Sequence, residues 1–224
     1  MIADAAVPQS TFDLIPDAAV PSSSGTTRGE NDGRVALRLR NRQRVIDALI
    51  ELVDDGDISP SMDAIVLRSG VSERSIFRYF TDLADLSISA VRAVVERAEP
   101  LHVIEDMGEG TLDHRIDEMI AARLRVARRT HAFGTLARRK LALTAEIQQA
   151  LRNVIVMLRF QFSRQFAPEL GAMSDDEATM VTDTLTALFS YEGLDVMWHQ
   201  LDNDHEAVAE RWRMVMTLLL TPRS

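Results

Sequence analysis

The segment Ser61–Leu86, SMDAIVLRSGVSERSIFRYFTDLADL, restricts what this chain can fold into more than any other stretch. It holds one short helical run, a tight turn at Gly70, and a second short run reaching about Phe80. Ile65, Val71, Ile76 and Phe80 fall where a single small core can close between the two runs. Gly70 can take the positive φ of a sharp reversal because it carries no Cβ. The second run is then left with Ser72, Arg74, Ser75, Arg78 and Tyr79 as its polar groups. Apolar residues behind and hydrogen-bonding residues in front are what a helix needs to enter a DNA groove.

The flanks extend this pattern. Val35, Leu39, Ile46, Leu49, Ile50 and Val53 keep helical spacing from about Arg34 until Asp54-Asp55-Gly56 ends the run. Ser61 is placed to cap the next helix, with Asp63 in its first turn, and Ser72 to cap the third. Thr81 or Asp82 caps a fourth from Leu83 to about Ala98, which Pro100 follows. Beyond it the spacing predicts helices over about 112–129, 132–140, 144–166, 175–200 and 205–220. Ser174-Asp-Asp-Glu177 forms a capping-box pattern before the fourth of these. No stretch reads as a strand or as a repeat. Residues 1–33, with Pro8, Pro16, Pro21 and the run Ser22-Ser-Ser-Gly25, lack periodicity and read as a disordered tail. The expected fold is all-α: the tail, a three-helix helix-turn-helix domain over 34–82, and a larger helical domain over 83–224.

A net charge of −9 is unexpected for a DNA-binding chain, but its distribution is uneven. From Arg28 to Phe80 nine arginines face nine Asp plus Glu, so that region is neutral. Within it Arg34, Arg38, Arg40, Arg42 and Arg44 follow one another with no acid between them. Local rather than net charge meets phosphate. Such a run is often only a solvated face, but its place just before the turn motif makes DNA contact the better reading.

Here the sequence resembles a known family. Arg42-Gln-Arg-Val-Ile-Asp-Ala48, Ser61-Met-Asp-Ala-Ile65, Gly70-Val-Ser72 and Ile76-Phe-Arg-Tyr-Phe80 are similar to the DNA-binding domain of the TetR/AcrR family of bacterial transcriptional regulators. The likeness covers about residues 40–90 and is only architectural beyond residue 100. It implies a regulator of double-stranded DNA, probing the groove with Ser72, Arg74 and Ser75. Arg42, Arg44, Ser61, Arg78 and Tyr79 are the other DNA-contact candidates. It further implies a homodimer built from helices 175–200 and 205–220, a near-palindromic operator, and release by a small-molecule effector bound in the 83–224 domain. Control by a protein partner, without a small-molecule effector, is the alternative. This sequence departs from the family at Phe77, where tyrosine is usual, at Leu83, where lysine is usual, and at Ser69, where alanine is usual. Glu73 would repel phosphate, yet could accept from a cytosine amino group.

Outside the motif the signals are weaker. Eight of the ten methionines lie beyond residue 100, and Met157, Phe160, Tyr191 and Trp198 are candidates to line an adaptable effector pocket. The acid-free stretch Met119–Ala145 carries Arg123, Arg125, Arg128, Arg129, Arg138, Arg139 and Lys140. It reads as surface pairing, or as a site for an anionic effector. Val208, Trp212, Val215, Met216 and Leu219 form an apolar stripe that must pack on its own chain, on a partner, or on both, and the resemblance implies both. No two histidines stand at helical ligand spacing with a carboxylate, so no metal site and no cofactor is expected. An enzyme would need convergent acid, base or metal groups, and no phosphate loop or nucleophile motif appears. The chain has no cysteine, which removes disulfides and fits a reducing compartment. Without a basic, apolar leader or a membrane-length apolar run, a cytoplasmic protein with no membrane contact is expected.

Overall fold

The structure, a computed structural model, describes residues 28–136, 138 and 145–221. Every regular element among these residues is helical, as the spacing predicts. They form two compact units. No helix of the described residues is long and apolar enough to cross a membrane.

The first unit contains α1 (Arg28–Asp54), α2 (Met62–Ser69), α3 (Glu73–Tyr79) and α4 (Leu83–Ala98) as far as Arg97, with the described residues of 132–148. α1, α2 and α3 pack on one another. Val45, Ile46, Leu49, Ile50 and Val53 of α1 are buried, as are Ile65, Val71, Ile76 and Phe80 of the turn motif and Leu86 and Ala90 of α4. Each large apolar side chain removed from water in this way contributes about 1.5–3 kcal/mol. Ser61 caps α2 by accepting from Ala64 N at 3.2 Å. α4 is capped reciprocally: Asp82 accepts from Asp85 N at 2.8 Å, and Asp85 accepts from Thr81 N at 2.9 Å.

α1 departs from expectation at its start. It begins at Arg28, so the last residues of the expected tail are helical, while residues 1–27 lie outside the described set. Val35 and Leu39 have helical spacing but are 51% and 59% exposed. Residues 33–40 are all exposed, and the buried face of α1 starts at Val45. Periodicity shows that a helix has an apolar face, not that a partner covers its whole length.

The second unit takes residues 98–131 and 149–221. It comprises a 3₁₀ turn (Glu99–His102), most of α5 (Leu112–Leu136) and α6 (Ala145–Gln165), and then α7 (Ala167–Leu170), α8 (Asp175–Leu188), α9 (Tyr191–Asp195), a π turn (Val196–Gln200) and α10 (His205–Leu220). An aromatic ladder runs through its core. Phe162 lies 6.3 Å from Phe166 and meets Phe189 edge-on at 5.1 Å, and Phe189 stacks on Trp212 at 4.1 Å. Below it, Arg115 forms a buried two-pronged pair with Glu169, at 2.5 and 2.8 Å. Gln165 donates to the Arg115 carbonyl at 3.0 Å and accepts from Gly108 N at 2.8 Å, which ties α5 to the end of α6.

Two expectations change in this unit. α5 is continuous through Leu136 where two helices were expected, and the Thr130 hydroxyl donates to the Val126 carbonyl at 3.0 Å within it. The expected helix over 175–200 is interrupted. Ser190 caps a new start by accepting from Gly193 N at 3.2 Å, and a Cβ on Gly193 would come within 2.4 Å of the Leu188 carbonyl. Of the α10 stripe, Val208, Trp212 and Met216 pack into the core of their own chain, at no more than 2% exposure, while Val215 and Leu219 are half-buried. The outward apolar residues of α10 are Met214 and Leu218, at 72% and 68% exposure.

Trp212→Ala is therefore expected to cost about 3–5 kcal/mol, as for other large buried aromatics. Urea unfolding followed by circular dichroism measures this; a loss below about 1 kcal/mol, typical of a surface substitution, would contradict the core placement.

Candidate functional site

The turn motif is assembled from local constraints. Gly70 sits at φ +64°, ends α2, and donates its N–H to the Val66 carbonyl at 2.9 Å. Its lack of a Cβ matters twice, since a Cβ there would also stand 3.0 Å from an Arg44 guanidinium nitrogen. The buried hydroxyl of Ser69 accepts from Val71 N at 3.2 Å, so serine in place of alanine adds a bond that fixes the turn. Ser72 precedes α3, but its hydroxyl donates to Ser75 Oγ at 3.1 Å rather than capping the backbone.

α3 is held from behind by Ile76 and Phe80, which are 1% and 2% exposed. Its front carries Ser72, Glu73, Arg74, Phe77 and Arg78, all exposed, with Ser75 and Tyr79 half-buried. Arg78 donates to the Tyr79 hydroxyl at 3.3 Å, with its guanidinium 5.4 Å from the ring centroid. Burial alone would raise the Tyr79 pKa. Hydrogen bonds from Arg78 and Asn41, with the charges of Arg78 and Arg38, outweigh it and lower the phenol below its ordinary value.

The arginines of α1 divide in two. Arg42 is engaged inside the unit, with its guanidinium 5.0 Å from the Phe80 ring centroid and a hydrogen bond to Ser89 Oγ at 3.1 Å. This cation–π contact makes it a brace between α1, α3 and α4, with the side chain half-exposed. Arg34, Arg38, Arg40 and Arg44 stay exposed. Asn41 was not singled out from the sequence, and Arg38 entered only as one of the basic run. The available signal was their helical offset: Arg34, Arg38 and Asn41 stand at i, i+4 and i+7, one face of α1. Arg68 of α2 pairs with Glu51 at 3.4 Å and Asp55 at 2.8 Å. Phe77 and Leu83, the departures from the family pattern, are 51% and 41% exposed.

In the second unit a group of rings gathers around His131. Tyr191 stacks on it at 5.0 Å, Trp198 meets it edge-on at 4.9 Å, and His199 stacks on it at 4.8 Å. The Asp195 carboxylate lies 3.2 Å from His199 Nδ1 and 3.7 Å from His131 Nε2. Two of the expected pocket residues, Tyr191 and Trp198, thus both contact His131. Phe160 is 37% exposed on α6, and Met157 is half-buried on the same helix.

No protein-family model matches this chain, and no curated protein matches it.

The acid-free basic stretch also divides. Arg139 and Lys140 lie outside the described residues. Arg128 and Arg129 are exposed, and Arg125 donates to the Val103 carbonyl at 3.4 Å. Arg123, by contrast, is only 7% exposed. It donates to Gln161 Oε1 at 3.2 Å and lies 3.5 Å from His102 Nδ1, and Gln161 donates to the His102 carbonyl at 2.8 Å. Burial pushes the Arg123 pKa down to about 10. Burial, helped by the Arg123 charge, pushes the His102 pKa down to about 3.

These shifts set a pH dependence. An unfolded His102 takes up a proton near its ordinary pKa of about 6.5, while the folded one stays neutral until about 3. The unfolded state therefore binds more protons in that window, and stability falls as pH falls through it. Between about pH 7 and 5, above most carboxylate titrations, His102→Asn is expected to show a flatter loss of stability than the parent chain. Urea midpoints measured across that range check this; identical slopes would remove His102 as a source.

Proposed function

We propose that this chain is a TetR-like DNA-binding transcriptional regulator. It acts as a homodimeric repressor that leaves a near-palindromic operator when a small-molecule effector binds the larger helical unit. The observation that carries the reading is the front of α3. A seven-residue helix is anchored by Ile76 and Phe80 and presents Arg74 and Arg78 outward. Arg38 of α1 adds its charge at Tyr79 beside them. A short, rigidly anchored helix with exposed guanidinium groups suits guanine edges in a major groove, and flanking arginines suit phosphate.

In this reading Arg74 and the hydroxyls of Ser72 and Ser75 face the bases. Arg44, Arg78 and Tyr79 meet the backbone, joined by Arg38. Ser61 uses its oxygen lone pair on Ala64 N and keeps its O–H to give to phosphate. Arg42 acts indirectly, by fixing Phe80 and hence α3.

The dimer reading rests on outward residues. Met180 of α8 and Met214 and Leu218 of α10 are 56%, 72% and 68% exposed, and α8 packs on α10. Large apolar side chains left outside on adjacent helices suit a two-fold contact. Two linked heads gain affinity through effective concentration, which one head lacks.

Selection of bound sequences from a random DNA library defines the operator and tests the reading directly; no enrichment over random DNA would overturn it. On that operator, Arg74→Ala is expected to lose about 1–3 kcal/mol more than on random DNA, the usual worth of a guanine contact. Fluorescence anisotropy with both DNAs measures the difference, and equal losses would confine Arg74 to phosphate.

The double variant Met214→Glu/Leu218→Glu is expected to shift the chain towards monomer and weaken operator binding together, with the head untouched. Analytical ultracentrifugation beside the same titration checks this. A folded variant that stays dimeric and binds normally would place the interface elsewhere.

A further inference from the structure

We propose that His131, Asp195 and His199 form a binding site for a divalent first-row transition-metal ion of the zinc class. Nitrogen or oxygen ligand atoms of the three residues all lie within 4.8 Å of one another. The proposal goes beyond the DNA-binding reading and does not depend on it.

The sequence supplies only part of this set. Asp195 and His199 stand at i and i+4, the offset that puts two ligands on one helical face. The third ligand is distant in sequence, and α5 brings it in. Asp195 closes α9, and His199 sits in the π turn that follows, where Leu201 N bonds to the Val196 carbonyl at 3.0 Å, five residues back. Such widened turns recur at functional sites. Just beyond its end, Asp202 has a φ of +51°, uncommon for a residue with a Cβ.

The distances suit a shared ion. Two ligand atoms on a tetrahedral ion with bonds of about 2.0 Å stand roughly 3.3 Å apart. Asp195 Oδ1 is 3.2 Å from one imidazole nitrogen and 3.7 Å from the other. The two imidazoles lie within 10° of parallel. Both can point a lone pair at one ion only if a ring turns, and the side chain of His199 is 59% exposed and has room to do so.

Charge also favours an ion. Among the described residues, the charged or chargeable partners of Asp195 are these two imidazoles, and the Tyr191 hydroxyl stands 3.5 Å from the same Oδ1. A divalent ion binds neutral imidazole and ionised carboxylate together. With two nitrogens, one oxygen and no thiolate, the donor set selects a borderline ion such as zinc, cobalt or nickel over copper(I). Three protein ligands leave at least one position for water or another small oxygen ligand.

The test is titration of the full chain, freed of any affinity tag, with zinc by calorimetry and with cobalt by visible absorption. One ion per chain is expected, with cobalt bands of a nitrogen- and oxygen-bound ion. Asp195→Asn and the largely exposed His199→Gln are each expected to weaken binding by at least the roughly ten- to hundred-fold that loss of an outer-shell partner costs, with an unchanged circular dichroism spectrum. His114→Ala, which changes a histidine outside the cluster, is expected to leave binding unchanged. His131→Ala removes the half-buried ligand, and the two milder variants decide the matter if it fails to fold. Absence of saturable binding, or equal affinity in Asp195→Asn, His199→Gln and the parent chain, overturns the site.

Discussion

The larger unit hangs on the line of rings from Phe166 through Phe162 and Phe189 to Trp212. It joins the end of α6, the end of α8 and the middle of α10 by side chains that are at most 3% exposed. Arg115 extends the line to α5, since its guanidinium lies 5.8 Å from the Phe166 centroid while its prongs hold Glu169. A buried pair of this kind adds little net stability compared with apolar packing, but breaking it is costly because one charge is left alone. The rings supply the apolar stabilisation, and the ion pair fixes which part of α5 meets the end of α6. The break between α8 and α9 follows from the same packing: Phe189 turns in to the rings and Ser190 restarts the helix.

The smaller unit solves a different problem, which is to hold a very short helix rigidly with one face open. α3 is too short to be stable by its own hydrogen bonds, and helices of this length owe their order to packing. Ile76 and Phe80 supply that packing, Gly70 sets the angle of entry, and Arg42 covers the Phe80 ring. An arginine that looks like a phosphate contact in sequence is thus part of the support. The distinction matters for mutagenesis: losing Arg42 would disturb α3, whereas losing Arg44 would remove an exposed charge. Overall acidity does not oppose the DNA-binding proposal, because Arg34, Arg38, Arg40, Arg44, Arg74 and Arg78 remain exposed on one unit.

The cluster at His131 and the buried Arg123–His102 pair both place ionisable groups against one another in the larger unit. At His102 the outcome is a neutral imidazole beside a guanidinium bonded to Gln161. At His131 the carboxylate of Asp195 is present, so the balance differs and a cation suits it.

The sequence by itself determined what local chemistry controls. Ser61, Ser174 and Asp204 cap helices because each offers an oxygen acceptor before an apolar run. Gly70 turns because only glycine takes that φ cheaply, and Ile65, Val71, Ile76 and Phe80 are buried where their spacing put them. Helix type and the small core of the turn motif were therefore legible. Tertiary structure alone decided which apolar face is covered. Trp212 and Leu218 are both apolar and lie on the same helix, yet one is core and the other 68% exposed, because Phe189 meets only one of them. It also decided which arginine is a brace, and which histidine joins Asp195 and His199 from more than sixty residues away. Side-chain periodicity carries direction around a helix axis, and only the packed chain specifies what lies in that direction.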